Sequence, residues 1–345
     1  MPLPQPPPPA AADPRWLDRG LDRLHLRRAP GRPSQIHLSV TDRCFLPCLH
    51  CDIYKNKTPD LPGAVWSELI DRLAPWCAPA GMNFVGGEPL LRKDLEALMA
   101  QAVGKGFTAS FNTNGWLLTE ARADALAAAG VNTGYVSLDG ARAATVDHSR
   151  GKAGSYDKAR IALSRLRKAG LPRVVVACIL HGRNAAEIGE LLALCRGEGW
   201  GLVVQPLYQS FGDKPYDPDW WRTAELFPRD EAQLQAVFAA LDTLSADRLR
   251  GGPTINDVAQ LQAMKLHFAH PERDNRLLCR AGHSDLSFDP HGNIRLCYFL
   301  PPVGTIFDAT PLSLLWDGPS ALRRRWEVSR CDRRCNLLNC NFERS

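Results

Sequence analysis

No stretch of this 345-residue chain is long and apolar enough to cross a bilayer, and its first residues lack the apolar core of a secretion signal. Charge of one sign is also scarce. There are 42 Lys and Arg against 37 Asp and Glu, a net of +5, too mild to argue for nucleic acid. These absences lead us to expect a cytoplasmic protein with no membrane and no nucleic-acid partner. Cysteine, by contrast, is plentiful. Eleven thiols without a secretion signal argue for metal rather than disulfides in a reducing compartment. Three lie within 44–51 and five within 279–340, whereas thiols used as core filling would be scattered.

An apolar content of 45% and a charged content of 23% suit a globular protein of one large domain, or one domain plus a smaller one. Residues 1–14 are mostly proline and alanine and are expected to have no packed role. A short amphipathic helix over 16–28 would place Leu17, Leu21 and Leu24 on one face. No separate peptide-recognition domain is expected in this short extension ahead of the first cysteines. From Gln35 onward strands and helices alternate. Strands are expected at 35–40, 82–85, 107–111, 134–138, 173–180 and 201–207, and helices at 66–73, 93–103, 120–129, 155–168 and 185–196. Such alternation implies parallel strands joined by right-handed crossovers, either a partial α/β barrel or an open doubly wound sheet. In both, chemistry sits at the carboxyl ends of the strands. The unusual residues fall there: the cysteine loop, Gly86-Gly87-Glu88-Pro89, Asn112-Thr113-Asn114-Gly115, and Ser137-Leu138-Asp139-Gly140.

Cys44, Cys48 and Cys51 read C-x3-C-x2-C. Three thiolates on one loop can hold three corners of a cubane iron–sulfur cluster and leave the fourth iron open, the arrangement of a reactive rather than a closed site. Half of a zinc site is the alternative. The spacing resembles the radical S-adenosylmethionine (SAM) enzymes, although His50 stands where that family usually has an aromatic. The resemblance implies a partial (β/α)6 barrel. It also implies a [4Fe-4S] cluster whose open iron chelates SAM, and an electron that cleaves SAM to a 5′-deoxyadenosyl radical. Gly86-Gly87-Glu88 resembles the family's GGE segment, whose carbonyls and carboxylate would accept from the SAM ammonium; the plain alternative is a strand-to-helix turn. Asn112, Asn114 and Gly115 resemble the segment on the third strand, and Ser137 and Asp139 the one on the fourth. Arg150 resembles the arginine that follows. By resemblance Ser137 and Arg150 would meet the SAM carboxylate, for which an arginine fork is suited. A polar group within 112–114 or 137–139 would meet the ribose.

The later cysteines begin with Cys279. Residues 287–297 look like a hairpin ending in Cys297, and Cys331, Cys335 and Cys340 follow as C-x3-C-x4-C. These resemble the SPASM and twitch extensions of radical SAM enzymes. Five cysteines supply one auxiliary [4Fe-4S] cluster, with Cys279, Cys297, Cys331 and Cys335 as first ligands and Cys340 as a substitute for one of them. A four-thiolate structural zinc is the alternative. Cys77, Cys178 and Cys195 read as buried small hydrophobes. Trp220-Trp221 reads as packing before pocket wall, and Arg323-Arg324-Arg325 as a solvated basic face. Tyr208, Tyr216, His283 and Asp285 are candidates for proton transfer.

The expected layout is an N-terminal segment 1–33, a core 34–208, a helical bridge 209–269 that shapes the substrate pocket, and a cluster-binding extension 270–345. The function this implies is hydrogen abstraction from a ribosomally made peptide, with an external flavodoxin- or ferredoxin-type electron donor. Alternatives are a small molecule such as a sugar or aminocyclitol, or a non-catalytic iron–sulfur or zinc protein.

Overall fold

The computed structural model describes residues 31–209, 215–272, 279, 281–331, 333 and 335. The helix expected over 16–28 and the ligand expected at Cys340 lie outside them. One nine-stranded sheet organises the chain. Its strands are β1 (Gln35–Thr41), β2 (Gly81–Gly86), β3 (Thr108–Thr113), β4 (Thr133–Ser137), β5 (Arg173–Leu180), β6 (Gly201–Pro206), β7 (Asp285–Phe288), β8 (Asn293–Arg295) and β9 (Gly304–Thr305), in the order β6-β5-β4-β3-β2-β1-β7-β8-β9. The first six are parallel and the sheet does not close, so it forms a partial barrel. Among the described residues no helix is long and apolar enough to cross a membrane.

The crossovers carry α1 (Gly63–Cys77), α2 (Leu95–Gly104), α3 (Glu120–Ala128), α4 (Ala143–Arg150), α5 (Ser155–Lys168) and α6 (Ile188–Glu198). α5 buries Ala159, Ala162, Leu163 and Leu166, one apolar stripe at helical spacing. It gives out before Gly170, whose φ of +84° reverses the chain toward β5. The helix-side face of the strands is apolar, with Ile36, Leu38, Met82, Phe84, Ala109, Phe111 and Val176 all 0% exposed. The opposite face is polar. Aligned registers place His37, Asn83 and Ser110 side by side, and Asn112 beside Tyr135.

Four differences from the sequence reading have physical causes. β3 runs on to Thr113 because its pairing with β4 continues to Val136. α4 was not expected, since Val146 is its one buried large apolar residue. The hairpin does not fold apart from the core: β7 pairs in parallel with β1 from Gln35↔Asp285 to Leu38↔Phe288. Arg325 is no part of a solvated basic face. It is buried, its Nε donates to the Gly282 carbonyl at 2.7 Å, and its guanidinium lies 4.5 Å over Trp316. The bridge contains α7 (Trp220–Thr223), α8 (Glu231–Leu249) and α9 (Val258–Ala269); α10 (Leu312–Asp317) and α11 (Pro319–Ser329) close the described chain. Cys77, Cys178 and Cys195 are buried in the apolar core.

Candidate active site

The cysteine loop leaves β1 and is held from two sides. On one side Leu49 N donates to Ser149 O of α4 at 2.9 Å. Gly151 follows that helix with φ +66°, and a Cβ there would lie 2.4 Å from Pro47 O, so only glycine lets the loop pack this closely. On the other side Gly87 N donates to Thr41 O (2.7 Å) and Glu88 N to Arg43 O (2.8 Å). A Cβ on Gly86 or Gly87 would lie 2.2 Å from those same carbonyls. The paired glycines therefore bring the β2 tip against the chain's own backbone leading into Cys44.

Glu88 is fully buried and ties β2 to β3. Its Oε1 accepts from Leu90 N (3.1 Å) and Thr113 Oγ1 (2.8 Å), and its Oε2 from Asn114 N (2.8 Å). Burial pushes its carboxyl up, against these hydrogen bonds, which favour the charged form. Asn114 Oδ1 accepts from Trp116 N, while its buried Nδ2 has no partner. Asn112 Oδ1 accepts from Asn83 Nδ2 at 3.1 Å on the polar face of the sheet.

Ser137 ends β4 half-buried. Asp139, two residues on, is 0% exposed. Its Oδ1 accepts from Ile179 N (2.9 Å), its Oδ2 from Ser149 Oγ (3.3 Å), and Arg150 Nε stands 2.7 Å from Oδ2 as an ion pair. Burial alone would raise Asp139; the charge of Arg150 and the Ile179 hydrogen bond outweigh it and hold the carboxyl below its ordinary value. Arg150, 7% exposed, also reaches the Cys48 thiol, so one guanidinium joins β4's extension to the cysteine loop.

Two residues here lie in the 176–184 segment, where the sequence suggests an adenine contact by resemblance but assigns it to no residue. Asn184 spans β4 and β5: its Nδ2 donates to Asp139 O (2.6 Å) and Ile179 O (2.8 Å), and its Oδ1 accepts from His181 N. His181 is buried, accepts from Arg183 N at Nδ1, and leaves a buried Nε2 without a partner. Burial lowers it to about 4, so the ring is neutral. His50 Nδ1 is likewise buried and unpartnered. The cue was a His and an Asn three apart just past a valine-rich strand.

The donor chemistry suits an iron–sulfur cluster. Burial raises all three loop thiols, Cys51 to about 11; Cys51 also feels the charge of Cys48 and Cys44, and Cys48 that of Cys44. Among the described residues no three His, Cys, Asp or Glu side chains gather tightly enough for a single metal ion. In a cubane each thiolate binds a different iron, so its ligands stand wider apart than those of one zinc. Cys279, Cys297, Cys331 and Cys335 also interact electrostatically, and burial is the main cause of the raised Cys279 thiol. Three of them share a small apolar cluster, in which Cys279, Cys297 and Cys335 pack with Tyr208, Tyr298 and Phe299 around Ala281 and Val328.

A cavity of about 370 Å³ opens beside the cysteine loop. Leu49, His50 and Asp52 line it from the loop, Leu207, Tyr208 and Gln209 from beyond β6, and Trp220 and Glu225 from the bridge. Trp220 serves both roles weighed for it, since it also stacks on His267 (6.1 Å) within the core. Asp285 is drawn away to His37 (2.9 Å), and Tyr216 packs on Phe299 (5.6 Å).

Residues 38–195 match the model of the radical SAM superfamily. The chain is 27% identical to the PqqA peptide cyclase of Gluconobacter oxydans over 84% of its own length and 77% of that protein. It is 30% identical to the mycofactocin maturase of Mycolicibacterium smegmatis, covering 82% and 66%. It is also 30% identical to the PqqA peptide cyclase of Xanthomonas campestris, where it spans 55% of the relative's length. In structure it resembles Streptococcus suis SuiB bound to S-adenosylmethionine (TM-score 0.65, 15% identity, covering 86% of this chain and 68% of that one). It also resembles anSMEcpe with bound AdoMet and a peptide (TM-score 0.61, 16% identity, 84% and 81%). The matched family model runs from within β1 into α6, past the tips of β1 to β5 described above, so residues 38–195 form a radical SAM domain.

Proposed function

We propose that the chain modifies a ribosomally made peptide by radical chemistry, in the cytoplasm. The observation that carries this is the convergence of three strand tips on the cysteine loop that leaves β1: β2 through Glu88, β3 through Asn114, and β4 through Asp139 with its partner Arg150. Cys44, Cys48 and Cys51 would hold the SAM-binding [4Fe-4S] cluster. When bound, the reduced cluster would supply the electron that breaks a carbon–sulfur bond of SAM, giving methionine and a carbon radical able to take a substrate hydrogen. The protein's part is to bind, orient and keep water out. Ser137 and Arg150 would face the SAM carboxylate, with Asp139 holding Arg150 in place. Asn114 Nδ2, a buried donor without a partner, is a ready contact for SAM oxygens. Glu88 and the backbone of Gly86 and Gly87 would meet the ammonium side. Glu88 already accepts three hydrogen bonds, so its first task is to fix the β2 and β3 tips. Asn112 remains a candidate for the ribose.

The cavity beside Leu49, His50 and Tyr208 is the proposed substrate chamber, closed by the bridge over 209–269. The extension over 270–345 would hold one auxiliary [4Fe-4S] cluster on Cys279, Cys297, Cys331 and Cys335. The peptide reading is supported by the relatives, among them a PqqA peptide cyclase and a mycofactocin maturase. Anaerobic purification followed by iron and sulfide counting, then dithionite with SAM, tests it. Iron, sulfide and 5′-deoxyadenosine are expected; zinc, or intact SAM, would overturn the reading. Cys51→Ala should abolish cleavage, whereas Cys331→Ala should retain part of it.

A further inference from the structure

Beside the cysteine loop lies a surface that the radical chemistry does not use. Phe45, next to Cys44, meets Trp116 edge to face with centroids 6.2 Å apart. Trp116 stands past the β3 tip, its Nε1 donating to Ser155 Oγ at 3.3 Å. Lys152 Nζ lies 4.1 Å from the Trp116 ring and 5.1 Å from Phe45, and Lys158 Nζ lies 5.6 Å from Trp116. Both lysines are exposed, with their ammonium groups over aromatic rings. Cation–π contact holds them in place without cancelling their charge. Lys158 opens a basic helix: α5 carries five Lys and Arg against one Asp.

We propose that this surface docks an acidic, low-potential electron carrier of the flavodoxin or ferredoxin type. The proposal rests on the reading of Cys44, Cys48 and Cys51 as cluster ligands. Electron transfer weakens steeply with distance, so a carrier must dock where a ligand loop reaches the surface. Here that place is the Phe45–Trp116 pair, one residue from Cys44. Charge complementarity favours this partner: fixed positive charge around an apolar centre speeds encounter with an acidic protein and sets its orientation. The apolar rings give the docked pair a dry contact through which an electron passes to the loop.

The test follows anaerobic cluster reduction by absorbance in the full-length, cluster-loaded protein. Reduced flavodoxin and dithionite serve as alternative donors across a range of salt. The variant Lys152→Glu/Lys158→Glu should be reduced by flavodoxin at least tenfold more slowly at low salt. The gap should narrow as salt rises. Dithionite reduction, and SAM cleavage driven by dithionite, should match the parent. The neutral variant Lys152→Gln/Lys158→Gln should fall between the two, which keeps the test open if charge reversal impairs folding. Parent-like flavodoxin rates in both variants, or a loss that ignores salt, would overturn the docking surface. So would weaker peptide binding with unchanged flavodoxin rates. A parent protein that dithionite itself fails to reduce would instead sink the cluster reading, and the docking surface with it.

Discussion

Glu88 shows how much one side chain can settle. Its carboxylate accepts from two backbone amides and one hydroxyl and so welds the turn after β2 to the tip of β3. Glu88→Gln would turn an NH2 toward one of these donors and leave a buried group unsatisfied, at about 1–3 kcal/mol. We expect the unfolding free energy from urea titration to fall by that amount and SAM affinity to fall with it. Equal stability in denaturant titrations would refute the strut. The Asp139–Arg150 pair makes a sharper case, because both partners are buried. Arg150→Met strands a carboxylate in a fully buried site and should cost about 3–5 kcal/mol. Adding Asp139→Asn should restore part of that loss, and a double-mutant cycle measures how much. Asp139 titrates below its ordinary value in the folded protein. Its contribution is therefore complete above the unfolded carboxyl range and lost as pH falls through the lower folded value.

At the scale of elements, what was legible in the sequence follows how each element earns its stability. β5 and α5 were read to the residue, because a valine run and an apolar stripe are dictated locally. α4 was missed, since little but Val146 marks its inner face and it is held by contacts to the cysteine loop. The roles of Gly86 and Gly87 were half legible: need for glycine shows in the sequence, but not that the near neighbour is backbone 41–43. The same limit hid Asn184, whose partners lie about 45 and 5 residues away. A pH prediction belongs to this scale, because His181 past β5 and His267 on α9 are both lowered by burial to about 4. Unfolding releases each ring to its ordinary value near 6.5, so the unfolded chain takes up protons that the folded one refuses. Stability should therefore drop as pH falls from about 6.5 toward 4, by roughly 1.4 kcal/mol per pH unit for each ring at the steepest. His267→Gln keeps a donor for the Leu207 carbonyl, met now by Nε2 at 2.7 Å, and should flatten the profile by about one proton. Denaturant titrations across that range would show it; an unchanged slope would mean His267 does not contribute.

The whole molecule is one sheet with two sets of thiols, and that continuity constrains how it can be divided. A core ending near residue 272 would strip β7 from β1, exposing four registered backbone positions from Gln35 to Leu38 on a flat parallel edge. It would also remove Phe288 and Leu286 from the main apolar cluster. Burying two such side chains is worth about 3–6 kcal/mol together, a large share of the stability of an ordinary domain. Arg72 binds the extension too, its Nη2 donating to Asp308 O at 3.4 Å from the face of α1. A truncated core should therefore aggregate or melt well below the full chain rather than fold as a free-standing unit. The full chain should unfold in a single transition by calorimetry and by near-ultraviolet circular dichroism. Two separated transitions, or a soluble truncated core with the parent's melting temperature, would show that the extension is appended to the barrel and not built into it. The coupling bears on chemistry because Tyr208 borders the chamber, feels the charge of Cys51, and packs in the cluster that holds Cys279, Cys297 and Cys335. The shared sheet then fixes the distance between the two thiol sets.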